Sequence, residues 1–569
     1  MTELEDAYPL TALQAGMLFH SAYQEDSASY HDVFTLILRG PYQGELLRAA
    51  AREVTARHAV LRTSFDLTGF DEPIQLVWDE VEPPVQEINL TGYGDAWPRL
   101  TMWREDEKRR PFDWASAPLF RLVVHHLEEG EWALTLSFHH AILDGWSVAT
   151  LMTELLGRYS AHLGGEPVRP LDPPPLNFRD FVAREKAAVG SAASEAFWQD
   201  VLADAPATAL PRLPGYRSGD AEDTEALAVP FGEGLVAGLE GVARELGVPV
   251  RTVLLAGHLR VLALVTGSAD VVTGLVTHGR PEHEAAEEIL GLFLNSVPLR
   301  ARTDVRSWRE LITNVFAAEV ALLPHRLYPL FEMQRLTQRS PVIDVLFDYR
   351  DFHVYQDLGP ADRVEVVETE FFEQTNLAIS ANFTRSPESG TLELKLKYDV
   401  TQFSAAQVAR AGELYREVFA RIAADPGGDP REPGDVLAAD SAAVERWNTT
   451  GAPATFVPLP VAIARQAATT PEAPAICGPD GLWLTYAEFI GRVNALATRL
   501  REQGVQLGDV VGVCLPRSVD MVIAVHAVMT AGGAYLPLEP TYPDQRLTFM
   551  TQDAHVRAVI THEPHRFAG

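Results

Sequence analysis

Apolar residues along the chain recur in two rhythms, and the rhythms alternate. From Thr11 to His20 (TALQAGMLFH), and again from Gln43 to His58, they return at three- and four-residue steps, which predicts helices with one buried face. The run VLRTSF at 60–65 alternates apolar and polar positions and predicts a strand. Arg121 to Leu127 and Trp132 to Phe138 predict a hairpin around the EEGE turn at 128–131. Val148, Leu151, Met152, Leu155, Leu156 and Tyr159 share one helical face. Gly164-Gly165 closes that helix, and the proline-rich run at 167–175 predicts a stiff connector.

The mixture continues with a helix ending near 198–202, helices near 234–246 and 250–264, and strands near 270–276, 294–301 and 391–399. Residues 424–456 are rich in proline, glycine and acids and read as a break between domains. From about residue 457 the texture changes to alanine-rich helices and buried-type strands such as VVGVCL at 510–515. No internal repeat is visible. The resulting division is 1–180, 181–435, a linker at 436–456, and a last α/β unit at 457–569, so the fold class is α/β with α+β lobes.

Composition narrows the function. A chain of 569 residues exceeds what one core supports. Its 78 acidic against 47 basic residues, a formal charge of −31, exclude nucleic acid as a partner, because phosphate binding needs clustered Lys and Arg. The charged stretch REDEKRR at 104–110 reads as a solvated helix face, with Asp106-Glu107 an exposed pair. The only cysteines are Cys477 and Cys514, which excludes a disulfide framework and suits a reducing compartment. Any thioester sulfur used by the first 476 residues must come from a partner. No apolar run approaches membrane-spanning length, and the N-terminus is acidic. A cytoplasmic location and no membrane partner are therefore expected.

The candidate chemistry is HHAILDG at 139–145. Histidine titrates nearest neutrality, so His139 and His140 are candidate acid–base groups. Asp144 could hold a histidine's tautomer or hold the local fold. Gly145 could let a ligand approach or offer its N–H to an oxyanion. A plain strand-end histidine pair followed by a DG turn is the simpler alternative. If buried, Asp144 needs a cationic partner, and two arginines stand in distinctive settings: Arg62 in RHAVLRTSF (57–65) and Arg280 in THGRP (277–281).

Six ordered blocks carry a resemblance. PLTALQAGMLFHS (9–21), RHAVLRTSF (57–65), SFHHAILDGWS (137–147), HGRPE with LGLFLNSVPLR (290–300), PHRLYPLFEMQR (324–335) and DVLFDYRDFHVY (344–355) resemble the condensation domains of nonribosomal peptide synthetases. In the last block Asp348 stands where asparagine is common. LTYAEF (484–489) and MTAGGAYLPLEPTYPDQRL (529–547) resemble the start of an amino-acid adenylation domain. The phosphate loop and later ATP-binding motifs are missing, so adenylation, ATP and Mg are not expected of this fragment.

The resemblance implies two chloramphenicol-acetyltransferase-like lobes in a V with a tunnel between them. It implies peptide bond formation: the amine of an acceptor aminoacyl carrier attacks a donor acyl or peptidyl thioester. Upstream donor and downstream acceptor carrier proteins would deliver phosphopantetheine arms to a monomer that holds no cofactor or metal of its own. On that reading His140 relays the amine proton, His139 orients the loop, and Gly145 is an oxyanion donor. Asp144 pairs with Arg280 or Arg62, and Trp146, Ser147, Asn295 and Asp348 line the substrate channel. LQAGMLFHS together with HHAILDGWS leans toward a donor ending in a D-residue. An epimerization domain of the same superfamily, a non-catalytic carrier-recruiting module and a free-standing coenzyme A acyltransferase are the rival readings.

Overall fold

The computed structural model describes residues 3–23, 30–92, 96–127, 130–165, 172–206, 208–213, 224–338, 342–350, 363–372, 378–385, 390–432, 434–451, 456–479, 481 and 483–567. The DFHVY end of the last block (351–355), residues 128–129 of the expected turn and 167–171 of the expected connector lie outside these. The chain divides into two compact units, Met1–Glu445 and Arg446–Gly569.

In the first unit, a five-stranded sheet forms one lobe. Its order is Glu365–Phe372, His31–Arg39, Glu131–His139, Phe120–His126 and Val85–Asn89. The predicted hairpin is its centre, with Phe120 opposite Phe138 and His126 opposite Trp132. His31–Arg39 lies on the other side of Glu131–His139, antiparallel, its run buried from His31 to Leu38. Helices Gly44–Arg57 and Gly145–Gly164 pack on this sheet and on each other. The latter closes at Gly165, whose φ of 67° is the left-handed cap conformation that glycine adopts without strain. A six-stranded sheet forms the second lobe, ordered Leu294–Arg302, Asp270–His278, Val345–Arg350, Ile379–Arg385, Leu392–Asp399 and Thr224–Pro230.

One strand crosses over. Glu365–Phe372 belongs to the later half of the chain yet pairs antiparallel with His31–Arg39 in the first sheet. A single boundary at 180/181 does not place it. The predicted strand at 60–65 also differs: a short 3₁₀ turn covers Ala59–Arg62, and only Thr63–Asp66 is strand. Val60, Leu61 and Arg62 are all buried, so alternation fails there. Glu107, expected to be exposed, is buried and accepts hydrogen bonds from Arg121 Nε and Ser137 Oγ, each at 2.7 Å.

The expected linker begins as a helix, Asp435–Asn448, none of whose residues is buried. Its first turn is tied to helix Ala405–Ala424 by Arg410 to Val436 O and by Glu417 to Val436 N–H, while residues 452–455 lie outside the described ones. The second unit is α/β. Parallel strands Ala534–Pro537, Val510–Cys514 and Ala558–Thr561 lie in that order, with helices Tyr486–Glu502 and Val519–Ala531 packed together. Among the described residues no single helix is long and apolar enough to cross a membrane.

Candidate functional site

The end of strand Glu131–His139 delivers His140 to the cavity between the lobes, while His139 packs within the first lobe. His139 closes the register opposite His31. The His140 N–H donates to Tyr30 O at 2.8 Å, which holds the turn against the neighbouring strand. The imidazole Nδ1 of His140 then lies 3.0 Å from Asp32 Oδ2. Asp32 is fully buried and stands opposite Phe138 in the same strand pair. Sequence reasoning missed this residue. The available signal was an acid immediately before an apolar strand run, Val33 to Leu38.

His139 does different work. Its Nδ1 accepts the Ala141 N–H at 3.1 Å, and its Nε2 lies 3.4 Å from Ser21 Oγ. Burial, reinforced by the neighbouring His140, pushes its pKa down to about 3, so it stays neutral and braces the turn. Gln14 Nε2 donates to Ala141 O at 2.9 Å and ties the turn to helix Ala12–Tyr23.

Asp144 is the N-cap of helix Gly145–Gly164: its Oδ1 accepts the Ser147 N–H at 2.8 Å. The same oxygen accepts from Arg280 at 2.9 Å, and Oδ2 accepts the Phe293 N–H at 3.1 Å. Arg280 also donates to Ser147 Oγ at 2.8 Å and to the carbonyls of Ala286 and Ile289 at 3.0 and 2.6 Å, with its guanidinium 4.4 Å from the Phe293 ring centroid. Gly291 completes the seam. Its carbonyl accepts from the Asp144 N–H and from Ser147 Oγ, and its N–H donates back to that hydroxyl. A Cβ on Gly291 would run into the Phe178 and Phe293 rings, so only glycine lets the second-lobe loop come this close.

The two candidate arginines are thus separated. Arg280 is the partner of Asp144. Arg62 is a correction: it is buried elsewhere, donating to Thr55 O, Trp78 O and Glu5. Two channel candidates are corrected as well. Ser147 is fully buried inside the Asp144–Arg280–Gly291 network. Asn295 spends its Nδ2 on Arg326 O and Tyr328 O at 2.8 and 2.9 Å and braces the loop after 323. A serine and an asparagine in polar motifs look like ligand contacts in sequence, but both saturate backbone groups at a buried seam.

A cavity of about 1020 Å³ opens between the lobes of the first unit. His140, Gly145 and Trp146 reach it from one lobe, and His278, Ser296 and Asp348 from the other. Asp348 pairs with Arg350 at 2.6 Å, which gives its position a charged rather than amide character. His278 is held below the usual histidine range by burial and then by Arg280 and Arg326. Gly145 is the first residue of its helix, where backbone N–H groups have no partner within the helix and the local potential is positive. Among the described residues no cluster of three or more His, Cys, Asp or Glu could hold a metal.

The family model for condensation domains matches residues 4–440. The chain belongs to the condensation-domain family. Residues 463–568 match the AMP-binding enzyme family, so a condensation domain is followed by the start of an adenylation-type domain. The AMB antimetabolite synthetase AmbE of Pseudomonas aeruginosa is 36% identical over 432 residues, covering 75% of this chain and 20% of that protein. Tyrocidine synthase 3 of Brevibacillus parabrevis is 28% identical over 584 residues, covering 99% of this chain and 9% of that protein. The chain therefore spans a fifth or less of these two relatives. Among solved structures, the nonribosomal peptide synthetase FmoA3 in its AMPPNP-bound form superposes with a TM-score of 0.76 at 25% identity, over 97% of this chain and 57% of that one. The first condensation domain of the calcium-dependent antibiotic synthetase, in complex with a substrate analogue, gives 0.62 at 20% identity over 75% of this chain and 99% of that one. The latter likeness speaks for the fold.

Proposed function

We propose that the condensation domain forms a peptide bond between two carrier-tethered thioesters, with His140 as the group that handles the proton. The observation that carries this reading is the position of His140: it stands at the wall of the interlobe cavity, beside the N-terminus of helix Gly145–Gly164. A cavity of about 1020 Å³ has room for two phosphopantetheine-tethered acyl groups to meet.

The acceptor amine attacks the donor carbonyl carbon and a C–N bond forms. His140 takes the proton released by the nitrogen, and the carbonyl oxygen becomes an oxyanion near the Gly145 N–H. The C–S bond then breaks, and the departing thiolate recovers the proton from His140. Thioesters are activated already, so holding amine and carbonyl in contact supplies much of the rate. Trp146 and Asp348 border the path of the substrates, Asp144 and Arg280 hold the two lobes at the site, and no adenylation step is assigned to residues 457–569. Direct continuation from a condensation match into an AMP-binding match supports condensation over epimerization.

The 569-residue chain supplied with donor and acceptor carriers loaded with phosphopantetheine thioesters should make the amide. His140→Ala should lower that rate by about 10²–10⁴-fold while the melting profile stays in place. Amide formation at the wild-type rate by the variant would reject the reading, and racemisation of a carrier-bound residue without amide would favour epimerization.

A further inference from the structure

Two buried carboxylates stand near the histidine turn, and the family motif contains only one of them. Asp144 has its oxygens engaged by Ser147 N–H, Arg280 and Phe293 N–H, and no histidine is among those partners. The carboxylate that meets the His140 ring is Asp32, 3.0 Å from Nδ1. Resting on the reading of His140 as the proton-handling group, we infer that Asp32 is a positioning residue: its carboxylate, set against the Nδ1 edge of His140, favours the tautomer protonated at Nδ1 with a bare Nε2, and balances the imidazolium that forms when Nε2 takes the amine proton.

The surroundings make this arrangement specific. Asp32 is fully buried, in the pair of strands that also sets His140, so its carboxylate has little freedom to move away. The His140 backbone is pinned by its N–H to Tyr30 O, two residues before Asp32, so backbone and ring are both held by one strand. The adjacent His31 is no competing cation. Its Nε2 meets Ser137 Oγ at 2.8 Å, and burial followed by Arg121 lowers its pKa to about 3. His139 is likewise neutral and turned to Ala141 N–H and Ser21. A histidine whose one nitrogen binds a carboxylate presents a defined second nitrogen, and removal of such an orienting group elsewhere costs about 10–100-fold in function.

The test uses the full 569-residue chain with ¹⁵N-labelled histidine, the His140 signals being assigned by their loss in His140→Ala. In the unaltered protein the neutral His140 ring should show a protonated Nδ1 and a bare Nε2. A protonated Nε2 would overturn the inference without any variant having to fold. Asp32→Asn preserves volume and should weaken that tautomer preference, lowering kcat for amide formation about 10–100-fold with KM for both thioesters unchanged. An Asp32→Asn protein with wild-type kcat overturns the role of Asp32 while leaving His140 standing, if His140→Ala is inactive. Full activity of His140→Ala would instead remove the reading on which the inference rests.

Discussion

The strand behind His140 and the seam in front of it each bury an aspartate about one hydrogen bond from a nitrogen, and the two pairs are built for opposite ends. At the seam, Asp144 meets an arginine that stays charged, together with two backbone N–H groups fixed in place. Every partner in that set is a donor fixed in place, so the pair holds geometry. Behind the turn, Asp32 meets an imidazole whose ring borders the cavity. On the proposed reading, that pair gains and releases a proton. On that reading the partner, more than the acid, decides which carboxylate holds structure and which serves chemistry.

Single substitutions should pull the two sites apart. His140→Ala should cost about 10²–10⁴-fold in amide formation with little change in folding. Asp144→Ala should do the reverse in kind: it strands Arg280 at a buried site and should lower unfolding free energy by about 3–5 kcal/mol, read by denaturant titration. An Asp144→Ala protein that loses activity at an unchanged denaturation midpoint would move this acid from scaffold to chemistry.

A double-mutant cycle measures the coupling across the seam. Asp144→Leu with Arg280→Met should be more stable than the sum of the single losses, because no lone charge remains buried. Additive losses would mean the two side chains act independently. Gly291→Ala should follow, at about 1–3 kcal/mol, as its methyl meets the rings of Phe178 and of Phe293, two residues along the same loop. A neutral result would show that the Phe178 and Phe293 rings yield to the methyl at no cost.

The smallest effect is set by pH. His31 and His139, held down to about 3, and His125, held down to about 4, all lie on the first-lobe sheet. Their folded pKa values lie below the ordinary 6.5, so the unfolded chain takes up protons first. Their contribution is complete above 6.5 and declines as pH falls toward about 3. Glu185 runs the other way. It lies on helix Phe178–Val189 and accepts the Ala12 N–H at 2.8 Å, and burial raises it to about 7. Its contribution is present below its ordinary 4.5 and is lost as pH rises through about 7. Melting temperature should therefore fall on acidification from pH 6.5 to 4.5, these histidines, with His258 of the second lobe also held down to about 3, outweighing one glutamate, and Glu185→Gln should steepen that fall. A flat profile would mean these histidines are already protonated in the fold.

Much of the architecture was legible in linear pattern. The helices at Gly44–Arg57, Glu233–Leu246 and Val250–Thr266, the hairpin ending at His139, and the strands at Asp270–His278 and Leu294–Arg302 follow from periodicity, because burying one face imposes a repeat that local sequence must carry. The 3₁₀ turn at Ala59–Arg62 broke that rule because Arg62 is buried by carbonyls from other segments, a contact no local repeat records. Ser147 and Asn295 were misread for the same reason.

Linear sequence set the lobes' elements, the histidine turn, the absence of thiols from the first 476 residues and, through ordered blocks, the family. Tertiary contacts chose Arg280 over Arg62, brought Glu365–Phe372 into the first sheet, and set Asp32 against His140. Periodicity reports which face of an element is buried. It does not report which distant element lies against that face, and the electrostatics of this site come from those distant neighbours.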